Sequence, residues 1–382
     1  MDRVSHLTVV KVGGSLLGGA EDLHRAAAAL AERRRDGGLL LVVASALQGV
    51  TDLLDLAARR SGRPEELAPI LDRLRSRHLE LASGPALARV HEVLAELEAL
   101  VGSLPAGETV PDGTYARLLS FGERLSVILL ANALQGAGQD AQAVASEEIG
   151  LRAEGPPRSG CCDIAGSAEG LERMRRQLRD RVLVLTGFYG VDPGGKVVLF
   201  GRGGSDNTAC AVAAGLDADR LELWKDVPGF MSADPREVRG ARVIDRISFD
   251  EVAQMGAYGS KVVNHGCLAP LRGRDTRIVI STIPEASSGS GTLLVERLQR
   301  DSTRVVALAS RRNNGSPALV AAVGDGIAGN PEIRERMLAC LAAAGVRSDR
   351  VAQPSGRSGL SCTVHPDDLS PALSGLHEAF FS

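Results

Sequence analysis

Five stretches of this chain carry the groups with which it could handle an anion. In Gly201-Arg202-Gly203-Gly204-Ser205-Asp206-Asn207-Thr208, a glycine turn follows an apolar run, Val197–Phe200, that reads as a strand. The Ala-rich Thr208–Gly215 reads as a helix that Ser205 or Asp206 can cap. A helix start behind glycines offers free N–H groups and the positive dipole end to a carboxylate or phosphate. Arg202 adds a planar fork suited to a carboxylate, and Asp206 a negative charge where a metal or a catalytic lysine would want one. A lysine also stands in Lys11-Val12-Gly13-Gly14-Ser15, at a strand end beside two glycines. It could aim its ammonium at a phosphate, although the order is not that of the P-loop. The loop Lys225–Arg236 is long, punctuated by Pro and Gly, and charged at Lys225, Asp226, Asp234 and Arg236. Lys261 is placed by its pattern in the first turn of a helix, where it opposes the dipole unless an anion is bound. Glu123-Arg124 interrupts an apolar helix. Each has an ordinary alternative: a strand-end lysine in solvent, a turn arginine, a solvated Glu-Arg face.

The surrounding elements decide whether these groups can meet. Leu7–Val12, a glycine turn, a helix over Ala20–Arg35 and the strand Leu39–Ala44 make one βαβ unit, hence a parallel sheet. The second strand runs into Ser45-Ala46-Leu47-Gln48-Gly49-Val50-Thr51, small and hydroxyl residues at the edge where α/β sheets bind ligands. Thr51–Gly136 is helical, with breaks near 62–64, 84–85 and 102–113. Further strands are expected at Ala141–Val144, Val182–Thr186, Arg220–Trp224 and Thr276–Ser281, with helices at Ser248–Met255 and Ser260–Leu268. A Ser/Gly-rich linker follows at Ile283–Gly291. Strands at Ala318–Val323 and Leu360–Val364, with helices at Pro331–Ala344 and Pro366–Phe381, suggest a small ferredoxin-like α+β domain. The expected domains are 1–295 and 303–382.

Composition limits the function. The 382 residues hold 44 Lys and Arg against 47 Asp and Glu, a net charge of -3 that favours neither nucleic acid nor an acidic membrane. No apolar run approaches the roughly 20 residues of a membrane span. Six cysteines lack metal-ligand or CxxC spacing, and no signal-peptide pattern opens the chain. The expectation is a cytoplasmic protein with reduced thiols and no protein-held metal.

The motifs taken together resemble the aspartate kinase family of amino-acid kinases. The resemblance rests on KVGGS (11–15), SALQGVT (45–51), FGERLS (121–126), GFYG (187–190), GRGGSDNTA (201–209), KDVPGFMSADPR (225–236) and GSK (259–261), in that order. The tail, with VGDGIAGNPEI (323–333) and VAQPSGRSGLSCTV (351–364), resembles an ACT domain. The resemblance implies a three-layer αβα domain with a mainly parallel sheet. It implies transfer of phosphate from ATP, with Mg²⁺, to the β-carboxylate of L-aspartate, giving 4-phospho-L-aspartate. Lys11 and Asp206 would then be catalytic. Ser45, Thr51, Glu123, Arg202 and Ser205 would bind the amino acid. Gly13, Gly14, Ser15, Lys225, Asp226, Met231, Arg236 and Lys261 would bind ATP. Relatives commonly have threonine at 225, tyrosine at 231 and His-Pro at 264–265, and they carry two ACT units where this chain has room for one. A lone unit would expose its sheet face, so a homo-oligomer, a dimer through this domain, is expected. The alternatives are a kinase for another amino-acid carboxylate and an idle regulatory partner.

Overall fold

The computed structural model describes residues 6–35, 38–104, 109–283, 291–298, 304–313, 316–348, 351–352 and 358–382. The chain divides into two compact units, Met1–Asp226 with Arg274–Thr276 and Thr282–Gly289, and Val227–Gly273 with Arg277–Ser281 and Ser290–Ser382. This cut differs from the division by motif order at 295 and 303. Ala233 and Val238 pack into one core with the tail residues Val320, Leu360 and Leu373, so the second unit begins inside the long charged loop.

In the first unit, β1 (Leu7–Val12), α1 (Ala20–Arg35) and β2 (Leu39–Ala44) form the expected βαβ. Four helices follow, α2 (Val50–Arg59), α3 (Pro64–Leu79), α4 (Pro85–Gly102) and α5 (Asp112–Gly136), divided where the glycines and prolines stand. Next come β3 (Ala141–Val144), α6 (Ser146–Ile149), the short pair β4 (Ala153–Glu154) and β5 (Cys161–Cys162), and α7 (Ala168–Gln177). Then come β6 (Val182–Thr186), the antiparallel hairpin β7 (Tyr189–Val191) and β8 (Val197–Leu199), α8 (Gly204–Gly215) and β9 (Arg220–Trp224). Strands β9, β1, β2, β6 and β3 lie side by side in that order, all parallel. Their side chains alternate between two faces. Val10, Val12, Val42, Ala44, Val182 and Val184 join the core built by α1 to α5. Helix α8 packs on β1, β2 and β9. Helix α5 is buried almost all round from Leu118 to Ala131, which explains its near-continuous apolar sequence.

The second unit contains β10 (Arg246–Ser248), α9 (Phe249–Ala257), β11 (Arg277–Ser281), β12 (Thr292–Val295), β13 (Ala307–Asn313), β14 (Ser316–Val323), β15 (Gly359–Val364) and the helices Pro331–Ala343 and Leu369–Phe381. Strands β13, β14 and β15 form an antiparallel sheet, with isolated bridges from Ser348 and Ala352 to β15. The two terminal helices supply Met337, Leu341, Leu373 and Leu376 to its core. The other face is not open, contrary to the sequence expectation for a lone unit. Ala307, Ala309, Ala321 and Val323 are buried, and α9 packs against β14. A Cβ at Gly359 would stand 2.8 Å from Tyr258 Oη, so the absence of a side chain there admits the end of α9.

Two local expectations are corrected. No helix covers 260–264; a 3-10 turn runs over His265–Leu271 instead. Gly259 takes a left-handed φ of 108° where a Cβ would meet Ser310 O at 2.8 Å, and the Asn264 side chain caps the following turn at Gly266 N. Lys261 is therefore not in a first helical turn. Residues 284–290 of the expected linker lie outside the described residues.

Candidate active site

Lys11 sits at the C-terminal end of β1, with its ammonium 3.0 Å from Asp206 Oδ1. It is only 6% exposed, which rules out the solvent-lysine alternative. Asp206 lies in the first turn of α8, which begins at Gly204 rather than at Thr208. The N-cap is Gly203, at a left-handed φ of 76° and without a side-chain cap, so neither Ser205 nor Asp206 serves as the cap. Gly204 has no room for a side chain, because a Cβ would stand 2.6 Å from Phe188 Cδ2. This close approach sets the corner and leaves Asp206 turned toward Lys11.

Lys225 closes the arrangement. It follows β9, whose Trp224 pairs with Val12, and its Nζ donates to Asp206 Oδ2 at 2.5 Å. One buried carboxylate is thus held between two ammonium groups. Burial works against its ionisation, but Lys11 and Lys225 overcome that and hold its carboxyl below the ordinary range. Gly13 N donates to Trp224 O at 3.2 Å, and a Cβ at Gly14 would lie 2.7 Å from Ala46 O. The glycine pair therefore lets the β1 turn close onto both β9 and the loop after β2.

Helix α5 contributes the second charged feature. A Cβ at Gly122 would stand 2.8 Å from Ala46 Cβ, so only glycine lets the loop after β2 lie against the helix. Across that contact Glu123 Oε1 accepts from Ala46 N at 3.0 Å, and Ser126 Oγ donates to Ser45 O at 2.6 Å. Gly122, Glu123 and Ser126 are one device that holds residues 45–46. Glu123 is buried, not part of a solvated face, and its Oε2 has no hydrogen-bond partner. Burial pushes its carboxyl up to about 8, against the lowering by backbone N–H groups and by Lys11.

A cleft of about 420 Å³ opens over these groups. It brings together ten of the expected residues: Lys11, Gly14, Ser15, Ser45, Thr51, Glu123, Arg202, Ser205, Asp206 and Lys225. Gly13 is buried behind its rim, and Asp226 is exposed at the end of the first unit without lining the cleft. Met231, Arg236 and Lys261 belong to the second unit. Met231 is half-buried and bridges to Val243, Arg236 is exposed and paired with Asp234 at 2.7 Å, and Lys261 is exposed. Gln48, Gly49 and Phe188 also line the cleft. Phe188 holds a left-handed φ of 75°, unusual for a bulky residue, and no pattern of residue types announces it. Among the described residues, no group of three or more His, Cys, Asp or Glu is placed to share a metal ion.

Residues 6–281 match the model of the amino acid kinase family, and residues 320–380 match an ACT domain. The chain is 32% identical over 317 residues to the lysine-sensitive aspartokinase 3 of Escherichia coli, covering 81% of this chain and 68% of that protein. It is 30% identical over 382 residues to an aspartokinase of Mycolicibacterium smegmatis, covering 97% and 77%. The crystal structure of E. coli aspartokinase III in complex with aspartate and ADP superposes with a TM-score of 0.83 at 23% identity, over 98% of this chain and 100% of that one, which shows the shared fold.

Proposed function

The chain belongs to the aspartate kinase family, and from that premise we propose that its cleft transfers the γ-phosphoryl group of ATP to the β-carboxylate of L-aspartate. The observation that carries this reading is the buried Asp206 held between Lys11 and Lys225 in a cleft that also holds Glu123. A β-carboxylate is ionised at neutral pH, so attack on phosphorus needs no general base. The barrier is charge repulsion and alignment. One carboxylate oxygen bonds to the γ-phosphorus while the bond to the bridging oxygen breaks and ADP leaves; no proton moves. Lys11 and Lys225 face the transferring group and offset its charge, and Asp206 keeps both ammoniums in place. Gly13, Gly14 and Ser15 let the phosphates approach the backbone. Arg202 forks onto the α-carboxylate of aspartate, the free Oε2 of Glu123 receives its ammonium, and Ser45, Thr51 and Ser205 hydrogen-bond it.

Asp226, Met231, Arg236 and Lys261 are read as the remaining ATP-binding residues. Among the described residues the cleft's carboxylates form no cation cage, and both oxygens of Asp206 are taken by Lys11 and Lys225, so Mg²⁺ would be held largely by nucleotide phosphates and water. When bound, it neutralises phosphate charge. A homodimer, or a higher even oligomer, joined at least partly through residues 305–382 completes the reading. With α9 against one sheet face, that contact would run over the unit's other surfaces, and light scattering tests it.

Hydroxylamine trapping of the acyl phosphate tests the chemistry. ATP-dependent hydroxamate should form with aspartate and not with glutamate or other carboxylic amino acids. Preference for another amino acid would move the assignment to a different carboxylate, and no product with any of them would reject it.

A further inference from the structure

Arg77 lies outside every motif, near the end of α3. Its helix is anchored by Leu67, Ile70 and Leu74, all in the main core. From that mount the guanidinium reaches two loops at once. Nη1 donates to Gln48 O at 2.5 Å, and Nη2 donates to Gly18 O at 3.0 Å. Gly18 ends the segment that begins at Lys11 and the glycine turn; Gln48 lies in the segment of Ser45 and Thr51. The loops also touch directly, since Gln48 N donates to Leu17 O at 3.2 Å. A Cβ at Gly18 would stand 2.6 Å from Asp22 Oδ2 and 3.2 Å from Gln48 Oε1, so the junction is closely packed.

We infer that Arg77 is a positioning residue that locks the phosphoryl-side loop (13–18) to the amino-acid-side loop (45–51) and so sets the distance between donor and acceptor. The inference rests on the kinase reading for the identity of the two sides. The residue type suits the task. Two carbonyls from different loops need two donors at fixed separation on one rigid plane, which a guanidinium has and an ammonium lacks. The contact is made to backbone carbonyls, so it does not depend on the chemistry of the Gln48 side chain. In a reaction whose barrier is mostly alignment, a displacement of about 1 Å costs on the order of 100-fold in rate, without removing any group that touches substrate.

The test uses the full chain with Arg77→Ala and Arg77→Lys. Hydroxamate formation is measured with ATP and aspartate varied separately, and thermal unfolding is followed beside it. Arg77→Ala should lower kcat by about 10- to 100-fold with a much smaller change in either KM. Arg77→Lys, which keeps the charge on a single donor nitrogen but loses the planar fork, should fall between, and millimolar guanidinium should restore part of the Arg77→Ala rate. A kcat within twofold of wild type, or a loss that merely follows the unfolded fraction, overturns the inference. Hydrogen exchange without substrate makes the test independent of the chemistry. The amides of 14–18 and 45–50 should lose protection together in Arg77→Ala, and unchanged protection in either loop sinks the lock. Failure of the kinase reading would instead show as absent turnover in the wild type.

Discussion

Aspartate binding should release a proton from this protein, and Glu123 is its source. The buried Glu123 carboxyl is raised from 4.5 to about 8, burial being the main cause. At pH 7 such a group is about 90% protonated. A substrate ammonium placed at the unpartnered Oε2 favours the ionised form, so binding at pH 7 should expel close to one proton, about 0.9 per site, falling to about 0.1 at pH 9. Affinity for aspartate should then rise about tenfold per pH unit between pH 6 and 8 and level off above. Isothermal titration in buffers of different ionisation enthalpy measures the proton directly. Glu123→Gln should abolish the release and weaken aspartate binding by roughly 1.5–3 kcal/mol, leaving ATP binding little changed. Stability carries the same signature. Because the folded value lies above the ordinary one, the stability from neutral Glu123 is fully present below about pH 4.5 and is lost as pH rises through about 8. At about 1.4 kcal/mol per pH unit the loss is on the order of 5 kcal/mol, and it should be missing from Glu123→Gln. Aspartate binding without proton release at pH 7 in the wild type would refute the reasoning.

Other changes have equally definite outcomes. Asp206→Asn leaves Lys11 and Lys225 without their shared carboxylate, and kcat should fall about 100- to 1000-fold with the far-ultraviolet circular dichroism unchanged; a variant within tenfold of wild type contradicts the proposed role. Gly14→Ala should lower kcat sharply while the chain still folds, since its Cβ would push 2.7 Å from Ala46 O and open the turn. Normal kinetics there would show that the closure of these loops is dispensable. Deleting residues 304–382 should weaken ATP binding as well as disturb assembly, because it strips Ala233 and Val238 of the core they share with the tail. Equilibrium binding of ATP to the truncated chain decides between this and a tail that serves assembly alone.

Much of the secondary structure is determined by local sequence. Leu7–Val12, Ala20–Arg35 and Leu39–Ala44 coincide with the elements read from residue pattern, and the breaks between α2, α3, α4 and α5 fall where Gly and Pro require them. The motifs also name most of the cleft's lining, because glycine turns at strand ends and a helix start behind glycines are visible in local residue pattern. Convergence is a different matter. That Lys225 shares Asp206 with Lys11 follows from the register of β1 against β9 and the placement of α8, which no local window contains. The Glu123-Arg124 pair resembles a solvated helix face by charge pattern; Glu123 is instead buried against the loop after β2, admitted by the absent side chain of Gly122. Arg77 has no signal at all, since its partners are backbone carbonyls and any sequence provides those. The covered face of the tail sheet depends on α9, a helix of the preceding segment that the motif-based division assigned to another domain. Sequence sets what each short segment prefers through periodicity and turn chemistry; tertiary structure sets which charges lose water and which partners they meet, because desolvation and Coulomb energy depend on neighbours distant along the chain.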